Sequence, residues 1–335
     1  MTRVLNLLFT SAGRRVELIE AFRRASGYLG LDSRIVVTDI DPLAPTFQVA
    51  DAAYVVPRTE DNDFLSTISG ICLKEKIDLA FPLTDTDIVP LASHRAFLEK
   101  QGTRAVVLSP EHATLTRDKW QTYLFFRRHD VPTPLTWLPN DPALAGEGFP
   151  VFVKPRTGSA GKHSWRADTE EDLDFLLGRV PDPVVQEFLS GREITTDVVS
   201  DFEGTPLGAV SRERIETRAG EVSKGRTVCD RTVLSQSVKI ARLLGAVGPI
   251  TVQCLLRGEE PCFTEVNARF GGGAPLGFAA GFDSPRWLLA LAAQIPVEVP
   301  PLGTYAQDLY MTRCDRSFFL TAEDYGQAKS GPVRP

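Results

Sequence analysis

Phe263-Thr264-Glu265-Val266-Asn267-Ala268-Arg269-Phe270 decides the reading of this chain. On a strand, side chains alternate between faces, so Glu265 and Asn267 project together while Thr264 and Val266 face the other way. Oxygen donors followed by a guanidinium suit one task well: holding Mg²⁺ and the phosphates of a nucleotide. Gly258-Glu259-Glu260 is a turn signal between two β-rich runs, Ile250–Arg257 and Pro261–Val266. If that hairpin closes symmetrically about Glu259, Gln253 sits opposite Glu265. Gln253, Glu265 and Asn267 then form one patch of three hard oxygen ligands. A one-residue slip would scatter them to opposite faces. The competing reading is a polar solvent face on an edge hairpin.

Two segments upstream carry related chemistry. In Phe152-Val153-Lys154-Pro155-Arg156-Thr157-Gly158-Ser159-Ala160-Gly161-Lys162-His163, a lysine at a strand end precedes a loop of small residues. Backbone N–H groups approach phosphates closely where side chains are small. This is not a Walker A loop, because histidine follows Gly161-Lys162 where Ser or Thr is required, and Arg156 stands where the first glycine should be. An ordinary hairpin loop is the alternative. In Val185-Gln186-Glu187-Phe188-Leu189-Ser190-Gly191-Arg192-Glu193, two carboxylates flank a turn at the end of an apolar strand. A carboxylate can bind ribose hydroxyls and extended backbone can read a purine edge; a plain strand-turn-strand is the competing reading.

The first hundred or so residues alternate strand and helix patterns, the prior for a parallel sheet covered on both faces. Strands are expected at Val4–Phe9, Arg34–Thr38, Ala52–Val56, Leu79–Leu83 and Ala105–Leu108, with helices from Val16, over Phe64–Leu73 and over Ile88–Leu98. Ligands collect at the carboxyl ends of such strands, where Ser11, Gly13, Arg14, Asp39, Asp41, Thr84, Asp85 and Asp87 lie. Beyond Ser109-Pro110 the texture changes. Thr116-Arg117-Asp118-Lys119-Trp120 opens a helix running toward His129, His163–Arg166 reads as a strand, and a helix starts at Thr169. Val233–Leu244 is a further helix, closed by Gly245.

The chain has 335 residues, 43% apolar, enough for a large core and two or three domains. A formal net charge of −6 argues against a nucleic-acid binder, which would advertise a basic face. Five cysteines, odd in number and never in CxxC, argue against a disulfide scaffold or zinc site and fit a reducing cytosol. No stretch approaches the ~20 apolar residues of a membrane span, so a cytoplasmic protein is expected.

Together these motifs resemble the ATP-grasp superfamily, in the family's order from about Ser109 to Gly281. The chain is most similar to the carbamoyl-phosphate-synthetase-like branch, in which the first metal position is glutamine, as Gln253 is. The resemblance implies a mixed α/β and α+β architecture: an N-terminal Rossmann-like, pre-ATP-grasp parallel-sheet domain (1–109), an ATP-grasp small lobe (110–183), a large lobe (184–320) and a frayed tail (321–335). It implies that Lys119 and Lys154 contact ATP phosphates and that Gly158, Ser159, Ala160 and Gly161 form the loop over the triphosphate. Glu187, Phe188 and Leu189 would meet adenine, and Glu193 the ribose. Gln253, Glu265 and Asn267 would hold Mg²⁺ or Mn²⁺, two ions, and Arg269 with Lys154 would act on the transferring phosphoryl group. The implied activity is an ADP-forming ligase joining a carboxylate to an amine or thiol through an acyl phosphate. A phosphotransferase or carbamate-forming enzyme, or an inactive ATP-binding module, is the alternative. Carbamoyl phosphate synthetases carry two ATP-grasp copies and biotin carboxylases are longer, so neither identity transfers. Expected partners are a small-molecule carboxylate and nucleophile, with no nucleic acid or membrane, and a homodimer as the candidate assembly. Candidates for the substrate are Ser11, Gly13, Arg14, Asp85, Lys224, Gly272 and Gly273. Arg212–Arg226 reads equally as a substrate loop or a solvated hairpin, and Gly271-Gly272-Gly273 as a place of close approach or a simple loop.

Overall fold

The structure, a computed structural model, describes residues 4–158, 161–218 and 220–330. Residues 4–105 wind strand against helix: β1 (Val4–Thr10), α1 (Val16–Tyr28), β2 (Asp32–Asp39), β3 (Ala52–Val55), α2 (Phe64–Glu75), β4 (Leu79–Pro82), α3 (Asp85–Lys100) and β5 (Arg104–Ala105). The sheet is parallel throughout, in the order β3-β2-β1-β4-β5. Strand alternation divides its side chains between two cores. Leu8, Val36 and Ala80 face α2 and α3, while Leu7, Phe9, Ile35 and Phe81 face α1 and helices from the far end of the chain.

Two capped helices follow, α4 (Pro110–Arg117) and α5 (Lys119–Arg128). Ser109 Oγ accepts the His112 N–H, and Asp118 Oδ1 accepts those of Trp120 and Gln121, satisfying donors that a helix start leaves unpaired. Then β6 (Thr136–Trp137), β7 (Val151–Pro155), β8 (Trp165–Ala167), α6 (Glu170–Leu177) and β9 (Pro183–Glu187) build a small antiparallel sheet, β6-β9-β7-β8. It has its own core: Trp137, Val151, Val153 and Val185 under Leu173 and Leu176.

The remaining elements are β10 (Glu193–Ser200), β11 (Pro206–Arg218), β12 (Glu221–Val228), α7 (Arg231–Leu243), β13 (Gly248–Arg257), β14 (Glu260–Asn267), α8 (Ala274–Ala279), α9 (Ser284–Ala292), β15 (Tyr310–Thr312) and α10 (Ala322–Ser330). Six of them form an antiparallel sheet, β14-β13-β10-β11-β12-β15. The N-terminal sheet is fused to this lobe through aromatic rings. Phe9 stacks on Phe81 at 5.3 Å, and Phe22 meets both Phe9 (4.9 Å) and Phe270 (5.7 Å). Burying a ring such as Phe270 stabilises by about 1.5–3 kcal/mol, and it fixes the backbone of Arg269 beside it.

Three expectations differ in detail. The strand expected over Ala105–Leu108 is Arg104–Ala105; the Val106 N–H still donates to the Ala80 carbonyl at 2.8 Å, while Val107 and Leu108 are buried beyond the end of the ladder. The strand expected at His163–Arg166 is Trp165–Ala167, since His163 has φ +57° and cannot extend. Residues 322–330, expected to fray, are helical.

Candidate active site

The β13–β14 hairpin brings the candidate metal ligands together, by a route the sequence did not indicate. Its turn is two residues long: Arg257 pairs with Glu260, and Gly258 has φ +61°, the value a tight type II′ turn needs first. That register alone would put Gln253 opposite Thr264. A β-bulge between Gln253 and Cys254 absorbs Thr264 as an extra residue. Beyond it Gln253 faces Glu265 and Thr251 faces Asn267. Gln253, Glu265 and Asn267 therefore share one wall. The Glu265 carboxylate and the Gln253 amide take no hydrogen bond or ion pair from other described side chains, whereas Asn267 Oδ1 accepts from Arg269 Nη2 at 3.2 Å. One carboxylate with two amide oxygens suits Mg²⁺ that arrives on a nucleotide, because that ion keeps phosphate and water among its ligands. Among the described residues, no three His, Cys, Asp or Glu converge as a self-sufficient metal site.

Opposite this wall stands Lys154 on β7, buried, its ammonium donating to Gln186 Oε1 at 2.8 Å; Gln186 in turn donates to Thr136 Oγ1. Burial pulls its pKa from 10.5 down to about 8, against the opposing pull of Glu265 and with a smaller push from Lys119. A buried cation whose hydrogen-bond partner is a neutral amide calls for an anion. The sign of the pH effect follows. The lysine penalises the folded state below pH about 8, and the penalty lifts as pH rises toward 10.5, where the unfolded side chain still holds its proton. A triphosphate bound beside it would restore the charged form. Nucleotide binding at a pH of about 8 is therefore expected to take up a proton, and affinity to weaken as pH rises further. Calorimetry in buffers of different ionisation enthalpy checks this; heats independent of buffer would place Lys154 away from the phosphates.

Lys119 opens α5 and donates to the Gly158 carbonyl at 2.9 Å, tying helix to loop. Arg156 pairs with Asp118 and closes the same junction; hydrogen bonding to Asp118 holds its pKa up. Gly158 (φ +130°) and Gly161 (φ +66°) have backbone conformations that favour glycine. Ser159 and Ala160 lie outside the described residues. The chain leaves the ladder after Glu187, so Phe188 and Leu189 run free of the strand along a pocket of about 430 Å³. Phe188 carries Arg166 over its ring at 4.7 Å. The Glu187 carboxylate is taken by Arg257 and by the Leu135 N–H, and its own N–H donates to the Leu135 carbonyl, so recognition at this edge falls to the residues after it. Glu193 lines the same pocket and accepts from Arg214 Nη1 at 2.5 Å.

A second cavity of about 510 Å³ adjoins the first. Lys119, Gly158, Arg214, Gln253, Glu265, Asn267 and Arg269 line both, so the wall of Gln253, Glu265 and Asn267 stands with Arg269 where the two meet. Arg269 is held by Asp85 across the boundary between the N-terminal sheet and the large lobe, Nε and Nη2 each 2.8 Å from a carboxylate oxygen. Burial lowers its pKa, but Asp85, with Glu265 and Glu221 behind it, outweighs burial and the net shift is upward.

Among the substrate candidates, Asp85, Gly272 and Gly273 line this chamber; Ser11, Gly13, Arg14 and Lys224 do not. Ser11 and Gly13 (both φ +48°) make the tight turn after β1, where Asp39 Oδ2 accepts the Gly13 N–H at 2.7 Å. That turn sends Arg15, not Arg14, into the chamber, where it meets Glu221 at 3.2 Å. Burial lowers the Arg15 pKa to about 10, partly offset by Glu221. Lys224 is exposed and bonded to Glu216, because register shifts around Glu216 break the alternation of the β11–β12 hairpin. The opposite face of that hairpin presents Arg212 and Arg214. Both were within the segment Arg212–Arg226, and their i, i+2 spacing was the available signal.

The three glycines after Arg269 make room for the protein itself. Arg212 forms a buried pair with Asp197, which also accepts from Thr251 Oγ1 at 2.9 Å. A Cβ on Gly271 would lie 2.7 Å from the Arg212 Nη2, and one on Gly273 only 2.3 Å from its Nε and 2.8 Å from Val222. Gly273 has φ −88°, which any residue adopts, so space alone requires glycine. Gly273→Ala should cost about 1–3 kcal/mol of stability by overpacking. Urea denaturation measures it; a loss near zero would mean that Arg212 moves freely.

Residues 116–273 match the ATP-grasp domain family, and residues 7–106 the PylC-like N-terminal domain family. The chain carries an ATP-grasp domain preceded by a PylC-like N-terminal domain. Among solved structures it is similar to biotin carboxylase from Campylobacter jejuni, crystallised as a β-γ-ATP complex: 17% identity, TM-score 0.71, covering 91% of this chain and 74% of that one. The biotin carboxylase domain of 2-oxoglutarate carboxylase from Hydrogenobacter thermophilus, with MgADP and bicarbonate, gives 18% identity and TM-score 0.72 over 91% and 73%. N5-carboxyaminoimidazole ribonucleotide synthetase from Thermotoga maritima gives 17% and 0.64 over 88% and 77%. At such identities the likeness establishes the fold.

Proposed function

We propose that the protein is an ATP-dependent, ADP-forming ligase that activates a carboxylate as its acyl phosphate and joins it to an amine. The carrying observation is the shared wall: a nucleotide-sized pocket opens onto a second polar chamber across Gln253, Glu265, Asn267 and Arg269. In this reading ATP lies along Phe188 and Leu189, with Glu193 at the ribose and Lys119 and Lys154 at the phosphates. Mg²⁺, held by Glu265, Asn267 and Gln253, would supply charge neutralisation at the β- and γ-phosphates. Arg269 meets the γ-phosphoryl group as it moves toward a carboxylate in the chamber. Phosphoryl transfer asks little covalent work of a protein, so positioning and electrostatics carry it.

The C. jejuni and H. thermophilus structures, with ATP-like or MgADP ligands, support the nucleotide and the metal. Bicarbonate in the latter supports a second reading, a carbamate-forming enzyme on the same scaffold. The proposed substrates are small molecules; among the described residues, no helix is long and apolar enough to cross a membrane. A homodimer is the proposed assembly.

The test is ADP release by the purified chain with Mg²⁺-ATP against pools of amino acids, small carboxylates and bicarbonate. Ligase activity gives ADP in one organic pool and needs a nucleophile for product. Release with bicarbonate alone selects the second reading. Tight nucleotide binding with no ADP from any pool would leave a binding module.

A further inference from the structure

The hydrogen bonds of Arg269 conflict with the task assigned to it. Nε and Nη2 are fixed on Asp85 at 2.8 Å, Nη2 also reaches Asn267 Oδ1, and Nη1 donates to the Phe270 carbonyl at 3.3 Å. Four hydrogen bonds inside the protein leave a five-donor guanidinium little to offer a phosphoryl oxygen. To serve there, Arg269 must leave Asp85.

Asp85 cannot follow. It begins α3, where the helix dipole favours its charge. Thr84 and Thr86 on either side donate to Asp87 Oδ1 at 3.1 and 3.2 Å. Asp87 is fully buried and takes Thr10 and Thr59 as well. This web fixes the first turn of α3 and keeps Asp85 on the chamber wall. Three of the other guanidinium groups lining the chamber are engaged, Arg15 with Glu221, Arg212 with Asp197 and Arg214 with Glu193, and the fourth, Arg117 at the end of α4, is exposed to solvent. A departing Arg269 would strand a carboxylate beside a triphosphate, which is unfavourable unless another cation takes its place.

We propose that Asp85 is the binding site for a substrate ammonium group, occupied in this structure by Arg269, and that arrival of an amine-bearing substrate releases Arg269 to the phosphoryl group. This rests on the assignment of Arg269 in the proposed function. The exchange conserves charge: ammonium replaces guanidinium on Asp85, and the guanidinium moves to the nucleotide. ATP bound alone meets an arginine still held away, so water is a poor acceptor until the substrate is seated. Linkage makes the effect reciprocal, with substrate and nucleotide each strengthening the other.

Asp85→Asn keeps the size and removes the charge. The expected results are a rise of about tenfold in ADP release without acceptor, and about tenfold tighter binding of Mg²⁺ with a non-hydrolysable ATP analogue. Amino-acid pools should stimulate the native protein, N-acetylated counterparts should not, and Asp85→Asn should lose the distinction. Asp85→Glu, which restores the charge, should keep idle release low and the preference for free amines. Native values of idle release and analogue affinity in Asp85→Asn would overturn the proposal, as would Asp85→Glu behaving like Asp85→Asn. If the native protein releases no ADP with any pool, the ligase reading fails, while analogue affinity in Asp85→Asn still decides the role of Asp85.

Discussion

Arg269→Ala is expected to lower turnover about a hundred- to a thousand-fold, the usual cost of removing one preorganised charge from a site of developing negative charge. The fold should survive. Phe270, not Arg269, supplies the apolar contact at this junction, buried among Phe22, Phe81 and Phe278. The orphaned partner, Asp85, is about a quarter exposed, so water can solvate it. Lysine at this position should recover little, because a compact ammonium cannot reproduce the fork that reaches Asp85, Asn267 and the Phe270 carbonyl together. The measurement is kcat and nucleotide affinity side by side: kcat should collapse while affinity for ADP changes several-fold at most. Near-native turnover on an identified substrate would remove Arg269 from the chemistry.

Glu265→Gln should be comparably severe for two reasons that add. The first is loss of the only carboxylate in the metal patch, which withdraws several kcal/mol of charge stabilisation at the phosphates, roughly a hundredfold in rate or more. The second acts across the cleft. Glu265 is the charge that opposes desolvation of Lys154, so its removal lets the lysine pKa fall further below about 8. At neutral pH part of the phosphate-facing cation would then be lost with the metal ligand. The variant should need far more Mg²⁺ for half-maximal activity, with its pH optimum displaced toward acid. An unchanged Mg²⁺ requirement would mean that the metal lies elsewhere.

The fold was legible because strand and helix patterns alternate through the N-terminal residues and α4, α5, α6 and α7 each begin at a capping Ser, Asp or Thr, and these are local signals. The pairing of Gln253 with Glu265 is legible in the sequence, but the turn that produces it is of a different kind from a loop symmetric about Glu259. A two-residue turn and a bulge at Thr264 together give the pairing that a symmetric loop would have given. Nothing in Cys262-Phe263-Thr264 announces a bulge, since an unpaired threonine looks like any other strand residue. The chamber was less legible, because its walls come from distant segments. Arg15 was passed over for Arg14, and only the positive-φ turn at Ser11 and Gly13 decides between them. Gly271 and Gly273 left two readings open until Arg212, some sixty residues away, was seen pressed against them. The Asp85–Arg269 pair spans 184 residues. Each partner had been singled out for substrate or phosphate, and sequence gave no reason to expect them on each other.

The central claim is that a carboxylate in the chamber attacks the γ-phosphorus. Carboxylates labelled with heavy oxygen, supplied from whichever pool drives ADP release together with Mg²⁺-ATP, test it most directly. Passage through an acyl phosphate moves one carboxylate oxygen into the inorganic phosphate when the amine displaces it, so labelled phosphate should appear in step with ADP. Unlabelled phosphate, or AMP with pyrophosphate in place of ADP, would contradict the account.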